Sequence, residues 1–336
     1  MAEKEPLIIR EQGSFITGGV IKTTPGKINY ENPGDPSGQT LHGDHAYVSY
    51  QIPADEPQNS LVFLHGALSS GIAWSMTPDG REGLDTLFLR KGYGVYLVDQ
   101  PRRGKAGRST LYGSVSGKTD DQLWYHTWRL GTWPNLREGA QFPEGAQAMD
   151  QFLRWMTPNT GDYDEKVIAD AIAALFEKLQ KGILVTHSQG GGPGWRTAIL
   201  SNKVQGVIAF EPGSGFVFPE GEVPDPITSL SPFGPLSAAG IPMEEFERLT
   251  KLPICIYYGD FIPGEASTDW PQDHWRARRE MAVLFAECIN RHGGNAKVVS
   301  LPDAGITGNS HFPFVEKNNV EIAELMDHWI RENQLV

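Results

Sequence analysis

Cysteine is rare in this sequence: only two of the 336 residues, Cys255 and Cys288, are of this type. Two cysteines are too few for the disulfide framework of a small secreted scaffold or for a cysteine metal site. Cys255 falls in a predicted strand and Cys288 in a predicted helix, so we interpret both as buried thiols. The sequence therefore indicates neither a disulfide-stabilised scaffold nor a metal centre built on cysteine.

Basic residues are also in the minority. Lys and Arg number 29 against 41 Asp and Glu, which gives a formal net charge of -12, and no run of Lys or Arg occurs. Nucleic acids and anionic membrane surfaces would repel such a protein. We expect a small neutral or cationic molecule as its partner and no nucleic acid, and a homodimer stays open as its assembly.

Long apolar runs are absent as well. No stretch of about 18 apolar residues could span a membrane, and MAEKEPLIIR at residues 1–10 lacks the basic start and apolar core of an export signal. We expect a soluble protein without membrane insertion. Its compartment is left open: cytoplasmic, or secreted if an export signal has been removed.

The residues that are present are typical of a globular protein with a sizeable core, since 39% are hydrophobic and 21% are charged. A chain of this length suits one catalytic domain that carries insertions. We therefore expect a single domain over residues 1–336.

Short apolar runs alternate with amphipathic helical patterns, which is typical of an α/β fold whose mostly parallel sheet is flanked by helices. The two runs nearest the N-terminus are expected to be antiparallel strands with which the sheet begins. The runs predict about eight strands: FITGGVIKTT at 15–24, AYVSYQIP at 46–53, SLVFLHG at 60–66, GVYLVD at 94–99, ILVTH at 183–187, GVIAFE at 206–211, PICIYYGD at 253–260 and AKVVSL at 296–301. Helices are predicted over 164–181, 271–292 and 319–332.

Two stretches break the alternation: residues 100–160, rich in Trp, Gly and Pro, and residues 212–250, rich in Pro and Ser. Loops at the carboxyl ends of parallel strands build the sites of α/β proteins. We therefore expect both stretches to be insertions that form a small cap over those strand ends.

Ser188 follows the predicted strand at 183–187 and precedes a glycine-rich helical pattern, QGGGPGWRTAIL. This is the context of a nucleophile elbow, a strained strand-to-helix turn with the consensus G-x-S-x-G, in which small residues flank the serine. Here the pentapeptide is THSQG, so Thr186 replaces the first glycine and Gly190 keeps the second. A serine before a helix is also a common N-cap, and the pentapeptide alone leaves both interpretations open.

A nucleophilic serine needs a histidine base whose other ring nitrogen is held by a carboxylate. Of the nine histidines, His311 has the fitting position, in the loop GITGNSHFPF between the last predicted strand and the last predicted helix. In elbow-type enzymes the chain order is nucleophile, acid, base, and His311 comes last. A loop histidine with a local hydrogen bond is the alternative.

Two carboxylates compete for the position of the acid: Glu211 at the end of GVIAFE and Asp260 at the end of PICIYYGD. The acid more often follows the strand that ends at Asp260, and in a minority of proteins it follows the preceding strand. Glu211 is followed by PGSG, which lets the backbone bend toward the site. We favour Glu211 and keep Asp260 as the alternative acid or as a pocket residue.

The oxyanion of an acyl-transfer reaction needs preorganised N–H donors, one from the residue after the nucleophile and one from a loop after an early strand. Gln189 supplies the first donor through its main chain. The second is expected from HGALSSG, where Ala67 or Leu68 follows the strand and its HG pair.

Together these segments resemble, in chain order, the blocks of a bacterial esterase family within the α/β-hydrolases: HGALSSGIAW, VYLVDQPRRGKAGRS, THSQGG, FEPGSG and GITGNSHFPFVEKNN. The resemblance, which spans residues 46–333, implies an α/β-hydrolase fold and a Ser–Glu–His triad whose acid follows the sixth strand. Some relatives carry a cysteine pair after the HG, where this chain has Ala67 and Leu68, so redox sensitivity of that loop is not implied. The residues that the resemblance assigns are Ser188 as nucleophile, Glu211 as acid, His311 as base, and the main chains of Ala67 and Gln189 as oxyanion donors.

Aromatic residues are concentrated in and around the two insertions, where they could line a binding pocket. Packing of the insertions onto the core explains them equally well. The side chains that we take as candidate substrate contacts are Leu68, Trp124, Trp128, Phe216 and Phe312.

Other polar residues are better explained structurally. The arginine pair at 102–103 could bind an acidic substrate group, but turn arginines beside carboxylates are usually structural. His187 is expected to pack under the elbow. The spacing of three residues could suit a metal site: Asp269, Asp273 and His274. No fourth ligand follows at a suitable position, so we interpret them as the solvated start of a helix.

The sequence thus predicts a serine hydrolase that cleaves a carboxylic ester of a small, aromatic or apolar substrate through an acyl-enzyme on Ser188, without cofactor or metal. A thioesterase, lactonase or amidase would use the same triad, because the pocket selects the leaving group. A non-catalytic binding protein of the same fold is the alternative from a different class.

Overall fold

A computed structural model describes residues 5–54 and 58–336 of the chain. The prediction about an export signal was based on residues 1–10, and the first four of these lie outside the described residues.

Eight strands form one sheet in the order β1-β2-β4-β3-β5-β6-β7-β8. The first pairings, β1 with β2 and β2 with β4, are antiparallel, and all later pairings are parallel. The predicted mostly parallel sheet that begins with antiparallel strands is therefore confirmed. The strands are β1 Ile9–Thr23, β2 Thr40–Pro53, β3 Gln58–Leu64, β4 Tyr93–Asp99, β5 Gly182–His187, β6 Val204–Phe210, β7 Pro253–Tyr258 and β8 Asn295–Ser300.

The burial of the strands follows from their place in the sheet. Every residue of β5, at the centre, is buried, because helices cover both faces of a parallel sheet. This explains why the strand reads as a continuous apolar run and lacks alternation. By contrast, β1 lies at an edge, and most of its side chains are exposed.

Helices cover the sheet from both sides. The helices that cover it are α2 Leu84–Arg90, α5 Glu165–Leu179, α6 Gly191–Leu200, α8 Trp270–Arg291 and α9 Asn319–Glu332. One core cluster contains buried residues of α5, α6 and α8, and a second contains those of α2 and α9. All three helices predicted from the sequence are confirmed. Within the described residues, no helix combines the length and apolar character needed to cross a membrane.

The two stretches that broke the sequence pattern contain short elements. Residues 100–160 hold α3 Asp121–Thr127, a hairpin of Gly131–Thr132 with Asn135–Leu136, and α4 Ala146–Arg154. Residues 212–250 hold the paired strands Val217–Pro219 and Ala239–Ile241 and the short helix α7 Met243–Phe246. The remaining helix, α1 Ile72–Ser75, follows β3.

Candidate active site

Ser188 lies at the turn between β5 and α6 with a φ of 53°. A left-handed backbone is costly for a residue other than glycine, and such strain clusters at functional turns. The N-cap position of α6 is occupied by Gly190, and no side chain caps this helix end. Ser188 is therefore not the N-cap of α6, and its backbone has the conformation of an elbow.

Two glycines allow neighbouring segments to approach the elbow. A Cβ on Gly66 would lie 2.8 Å from Ser188 Cβ, and one on Gly190 would lie 2.7 Å from the carbonyl oxygen of His65. Neither distance is compatible with a side chain. The HG pair after β3 therefore contacts the elbow directly.

The replacement of the first consensus glycine by Thr186 is accommodated on the following helix. Thr186 is fully buried, and its Cγ2 lies 2.6 Å from the position that a Cβ on Gly194 would occupy. The side chain of Thr186 therefore occupies the space that Gly194 of α6 leaves free. Gly194, an unusual residue inside a helix, compensates for the departure from the consensus.

Gly194→Ala is expected to destabilise the protein by about 1–3 kcal/mol, the usual cost of overpacking a core. Helix propensity alone would favour alanine by about 1 kcal/mol, so a loss of stability reports the clash with Thr186. The double variant Thr186→Ala/Gly194→Ala should recover most of the loss. Urea denaturation of both variants and of Thr186→Ala measures this, and a Gly194→Ala protein as stable as the native one would contradict the interpretation.

Glu211 and His311 are joined by a hydrogen bond. Glu211 directly follows β6, has a φ of 44°, and its Oε2 lies 2.6 Å from Nδ1 of His311, which is in the loop between β8 and α9. Both side chains are at most 1% exposed. Because an ionised carboxylate can only accept, Nδ1 of His311 carries the proton, and Nε2 is left as the proton acceptor.

Asp260, the competing acid, makes different contacts. Its Oδ1 accepts from the amide of Phe261 at 2.6 Å, and its Oδ2 accepts from the amide of Gly308 at 2.8 Å. The second bond ties β7 to the loop that leads to His311. The structure therefore brings Glu211 to His311 and gives Asp260 a role in holding the loop.

The carboxylate of Glu211 has a further partner that the sequence did not indicate. Arg129 donates from Nη2 to Oε1 at 2.5 Å and from Nη1 to Oε2 at 3.1 Å, and the amide of Gly259 donates to Oε1 at 2.7 Å. Arg129 lies in the 100–160 insertion, where the sequence drew attention to the aromatic residues and to the arginine pair at 102–103. No motif marks an arginine 82 positions before the glutamate that it binds.

The pKa values of the buried pair follow from burial and charge. Burial would raise the pKa of Glu211, but the charge of Arg129 and the hydrogen bond from His311 outweigh it, and this pKa is lowered. Burial lowers the pKa of His311, although the hydrogen bond and the charge of Glu211 act to raise it. The charges of Arg129 and Arg278 lower the pKa of His311 further. An ionised acid beside a neutral imidazole is the state that a general base requires.

A buried carboxylate fixes the loop that carries His311. Glu316 accepts from the amide of Ser310 at 2.9 and 3.1 Å and from Nδ2 of Asn309 at 2.7 Å. Asn318 donates in turn to Oδ1 of Asn309 at 3.0 Å. Burial raises the pKa of Glu316 to about 7. This network accounts for the polar residues Asn309, Glu316 and Asn318 on either side of His311.

The predicted oxyanion donors lie on segments that meet at the elbow. Among the hydrogen bonds of the described residues, none has the main-chain amide of Ala67 or Leu68 as its donor. Leu68 has a φ of 54°, and its carbonyl accepts from the amide of Thr157, which fixes the turn. Gln189 directly follows Ser188. The assignment of Ala67 and Gln189 as the donors stays a prediction.

Two of the candidate substrate contacts are partly accessible. Leu68 and Trp124 are half-buried, and the ring of Trp124 stacks on Trp128 at 5.7 Å and on Phe233 at 6.2 Å. Phe233 is 52% exposed. Trp128 itself is buried, and its carbonyl accepts from the amide of His311 at 3.2 Å. The stacked rings of Trp124 and Phe233 thus extend from the segment that touches His311 to the surface.

The other two candidates are packed into the interior. Phe312 is buried and meets Trp128 edge to face at 5.0 Å and Phe152 at 5.1 Å. Phe216 is fully buried and packs on Phe285 of α8 at 5.7 Å. The structure therefore places Phe312 as packing beside the histidine and Phe216 in the core, with no surface offered to a ligand. The aromatic composition of the sequence could not distinguish rings that line a binding pocket from rings that pack in the core.

The arginine pair after β4 is engaged with the protein. Arg102 donates to both carboxylate oxygens of Asp44, at 2.8 and 3.0 Å. Arg103 donates to Oδ1 of Asn159 at 2.6 Å and to the carbonyl of Gly66 at 3.1 Å. These contacts favour the structural interpretation of both residues.

His187 packs beneath the elbow, as expected: its Nε2 lies 2.9 Å from the carbonyl oxygen of His311, and the two rings are 4.3 Å apart. The three residues with metal-type spacing have separate protein partners. Asp269 binds Arg137, Asp273 binds Arg276, and His274 bonds to Ser231. They do not come together as a set of ligands.

One other group of possible metal ligands occurs among the described residues. Atoms of Glu222, Cys288 and His292 all lie within 4.8 Å of one another. Glu222 already pairs with His292 at 2.9 Å and with Arg291 at 3.1 Å, so its charge is offset by protein groups. Cys255 and Cys288 are both free and buried.

Comparison with known proteins agrees with this architecture. Residues 61–325 match the model of the alpha/beta hydrolase family. A fungal protein named "Probable secreted lipase phiG" (Fungal sp., strain ATCC 74256) is 28% identical over 328 residues, which cover 85% of this chain and 85% of that protein. A solved structure described as "The Atomic Resolution Structure of a Novel Bacterial Esterase" aligns with a TM-score of 0.78 and 27% identity over 99% of both chains. The family model covers most of the sequence and the sheet has the predicted topology, so this chain belongs to the alpha/beta hydrolase family.

Proposed function

We propose that the protein is a serine esterase that cleaves a carboxylic ester through an acyl-enzyme on Ser188. The observation that carries the proposal is the 2.6 Å bond between His311 Nδ1 and Glu211, next to an elbow whose serine has a φ of 53°. A binding-only protein of this fold has no physical need for a strained serine and a buried acid–base pair. The similarity to an esterase and a lipase supports hydrolysis of an ester.

The mechanism follows from the proton positions. Nε2 of His311 takes the proton from Ser188, and the serine oxygen attacks the ester carbonyl. The amides of Ala67 and Gln189 donate to the oxyanion that forms. His311 then gives its proton to the leaving alcohol as the ester bond breaks. The same nitrogen deprotonates a water molecule, which attacks the acyl carbon, and it returns this proton to the oxygen of Ser188 as the acyl–serine bond breaks and the acid leaves. Glu211 stays ionised throughout and stabilises the imidazolium.

The substrate that we propose has an apolar or aromatic group. The stack of Trp124 and Phe233 offers a flat apolar surface that reaches solvent, and Trp128 joins this stack to the main chain of His311. The two insertions, which we propose as a cap, carry these rings. Thioesters, lactones and amides use the same chemistry, and the rings give no reason to prefer them.

The test combines labelling with turnover. A fluorophosphonate probe at neutral pH should label one residue, Ser188, as identified by peptide mass spectrometry. The protein should hydrolyse p-nitrophenyl esters, and p-nitrophenyl benzoate or butyrate should be preferred to the acetate. Matched thioester, lactone and anilide substrates should react more slowly. If folded protein took up no probe at Ser188, a non-catalytic role would replace the proposal.

A further inference from the structure

Arg129 is buried against the proposed acid. Its side chain and that of Glu211 are both 0% exposed, and the guanidinium contacts both carboxylate oxygens. Each oxygen of Glu211 accepts two hydrogen bonds: Oε1 from Arg129 and Gly259, and Oε2 from Arg129 and His311. The orientation of the carboxylate is therefore fully determined, and Arg129 supplies half of the contacts.

The segment that carries Arg129 also contacts the base. The carbonyl of Trp128 accepts from the amide of His311 at 3.2 Å, while the next residue binds Glu211. Arg129 has a φ of 62°, which turns its side chain away from the course of α3. Its Nε donates to the carbonyl of Asp260 at 3.0 Å, so the guanidinium also joins the carboxyl ends of β6 and β7. Two consecutive residues of the insertion thus hold the acid and the base together.

The arrangement has a clear electrostatic consequence. A carboxylate shared between a guanidinium and an imidazole attracts a proton on the imidazole less than an unshared one does. Arg129 therefore favours neutral His311, the form that accepts the proton of the serine. The charged or titratable groups that face His311 are Glu211, Arg129, Arg278, His187 and His274.

We propose that Arg129 is a positioning residue of the active site, which fixes the carboxylate of Glu211 toward His311 and makes the acid–base pair a three-membered Arg–Glu–His unit. This rests on the proposed function of Ser188 and His311. The 100–160 insertion then contributes to the catalytic machinery itself.

Two substitutions separate orientation from charge. Arg129→Met removes the positive charge and the hydrogen bonds that orient the carboxylate of Glu211. We expect kcat to fall by about 10²-fold with KM little changed. The acidic limb of the pH profile of kcat/KM should move upward by about one unit, because His311 loses a neighbouring positive charge. Arg129→Lys keeps the charge but cannot bind both oxygens. It should lower kcat by about tenfold while the pH profile stays near that of the native protein.

Arg102→Met is the matched control, because Arg102 is also a buried arginine that binds both oxygens of a carboxylate, that of Asp44. It should lose stability without a shift of the pH profile. Circular dichroism and thermal unfolding establish that each variant is folded.

Native kcat and a native pH profile in folded Arg129→Met would overturn the proposal and leave Arg129 a structural residue. If Arg129→Met does not fold, Arg129→Lys decides the matter: native kcat in that variant overturns the proposal, and the expected loss at constant KM supports it. Failure of the proposed function is recognised separately, since the native protein would then neither take up the fluorophosphonate nor hydrolyse the esters.

Discussion

Replacing Ser188 with alanine is expected to reduce kcat for a p-nitrophenyl ester by roughly 10⁴–10⁶-fold, the range seen when a triad nucleophile is removed. The substitution removes the hydroxyl that attacks the ester carbonyl in the proposed mechanism. The fold should persist, because alanine and serine bear a similar cost at a φ of 53°. Stopped-flow or initial-rate kinetics, with circular dichroism as the check on folding, measure the effect.

A double variant provides the control for this prediction. Residues that act as one unit are strongly non-additive, so Ser188→Ala/His311→Ala should be no slower than Ser188→Ala alone. Residual hydrolysis in both should reflect binding and the oxyanion donors. If Ser188→Ala kept a tenth of the native rate, the nucleophile would have to be sought elsewhere.

The second large effect is expected at Glu211. Glu211→Gln removes the charge that stabilises protonated His311, and kcat should fall by roughly 10³–10⁴-fold. The substitution also leaves the guanidinium of Arg129 buried without its counter-ion, and breaking a buried pair in this way costs about 3–5 kcal/mol. Enzyme assays and urea denaturation should therefore both report a large change.

Asp260→Asn is the matched comparison. Among the described residues, the carboxylate of Asp260 accepts hydrogen bonds from two main-chain amides and from no side chain, so its substitution should lower kcat by less than about tenfold. The effect should come through the loop that carries His311. The opposite pattern, with turnover abolished in Asp260→Asn and kept in Glu211→Gln, would make Asp260 the acid and refute our assignment.

Local sequence was sufficient where the physical signal is itself local. The central strands are continuous apolar runs because helices cover both faces of the sheet, and the helices show one apolar face. Ser188 could be singled out because a strand, a glycine-rich turn and a helix follow one another directly. His311 could be singled out because its loop lies between the last strand and the last helix.

The choice of acid was different, because two carboxylates end neighbouring parallel strands and both face the same edge of the sheet. Residue patterns favoured Glu211 without excluding Asp260. The contact depends on where the His311 loop lies after folding, and only the 2.6 Å distance to Glu211 separates the two. The amides of Gly308 and Phe261 engage Asp260 instead.

The aromatic residues show the same limit. Trp124 and Phe216 have similar apolar character in the sequence, yet one is half-buried beside an exposed ring and the other lies in the core. Burial depends on which distant segment packs against a side chain, and residue type does not encode this.

The sequence by itself determined the order of the strands and helices and the serine and histidine that stand at their junctions, because these features depend on neighbouring residues. Only the tertiary structure decided which carboxylate meets His311, which aromatic rings are packed away, and that Arg129 shares the charge of Glu211. Each of these depends on segments far apart in the chain, which the folded sheet brings to one edge.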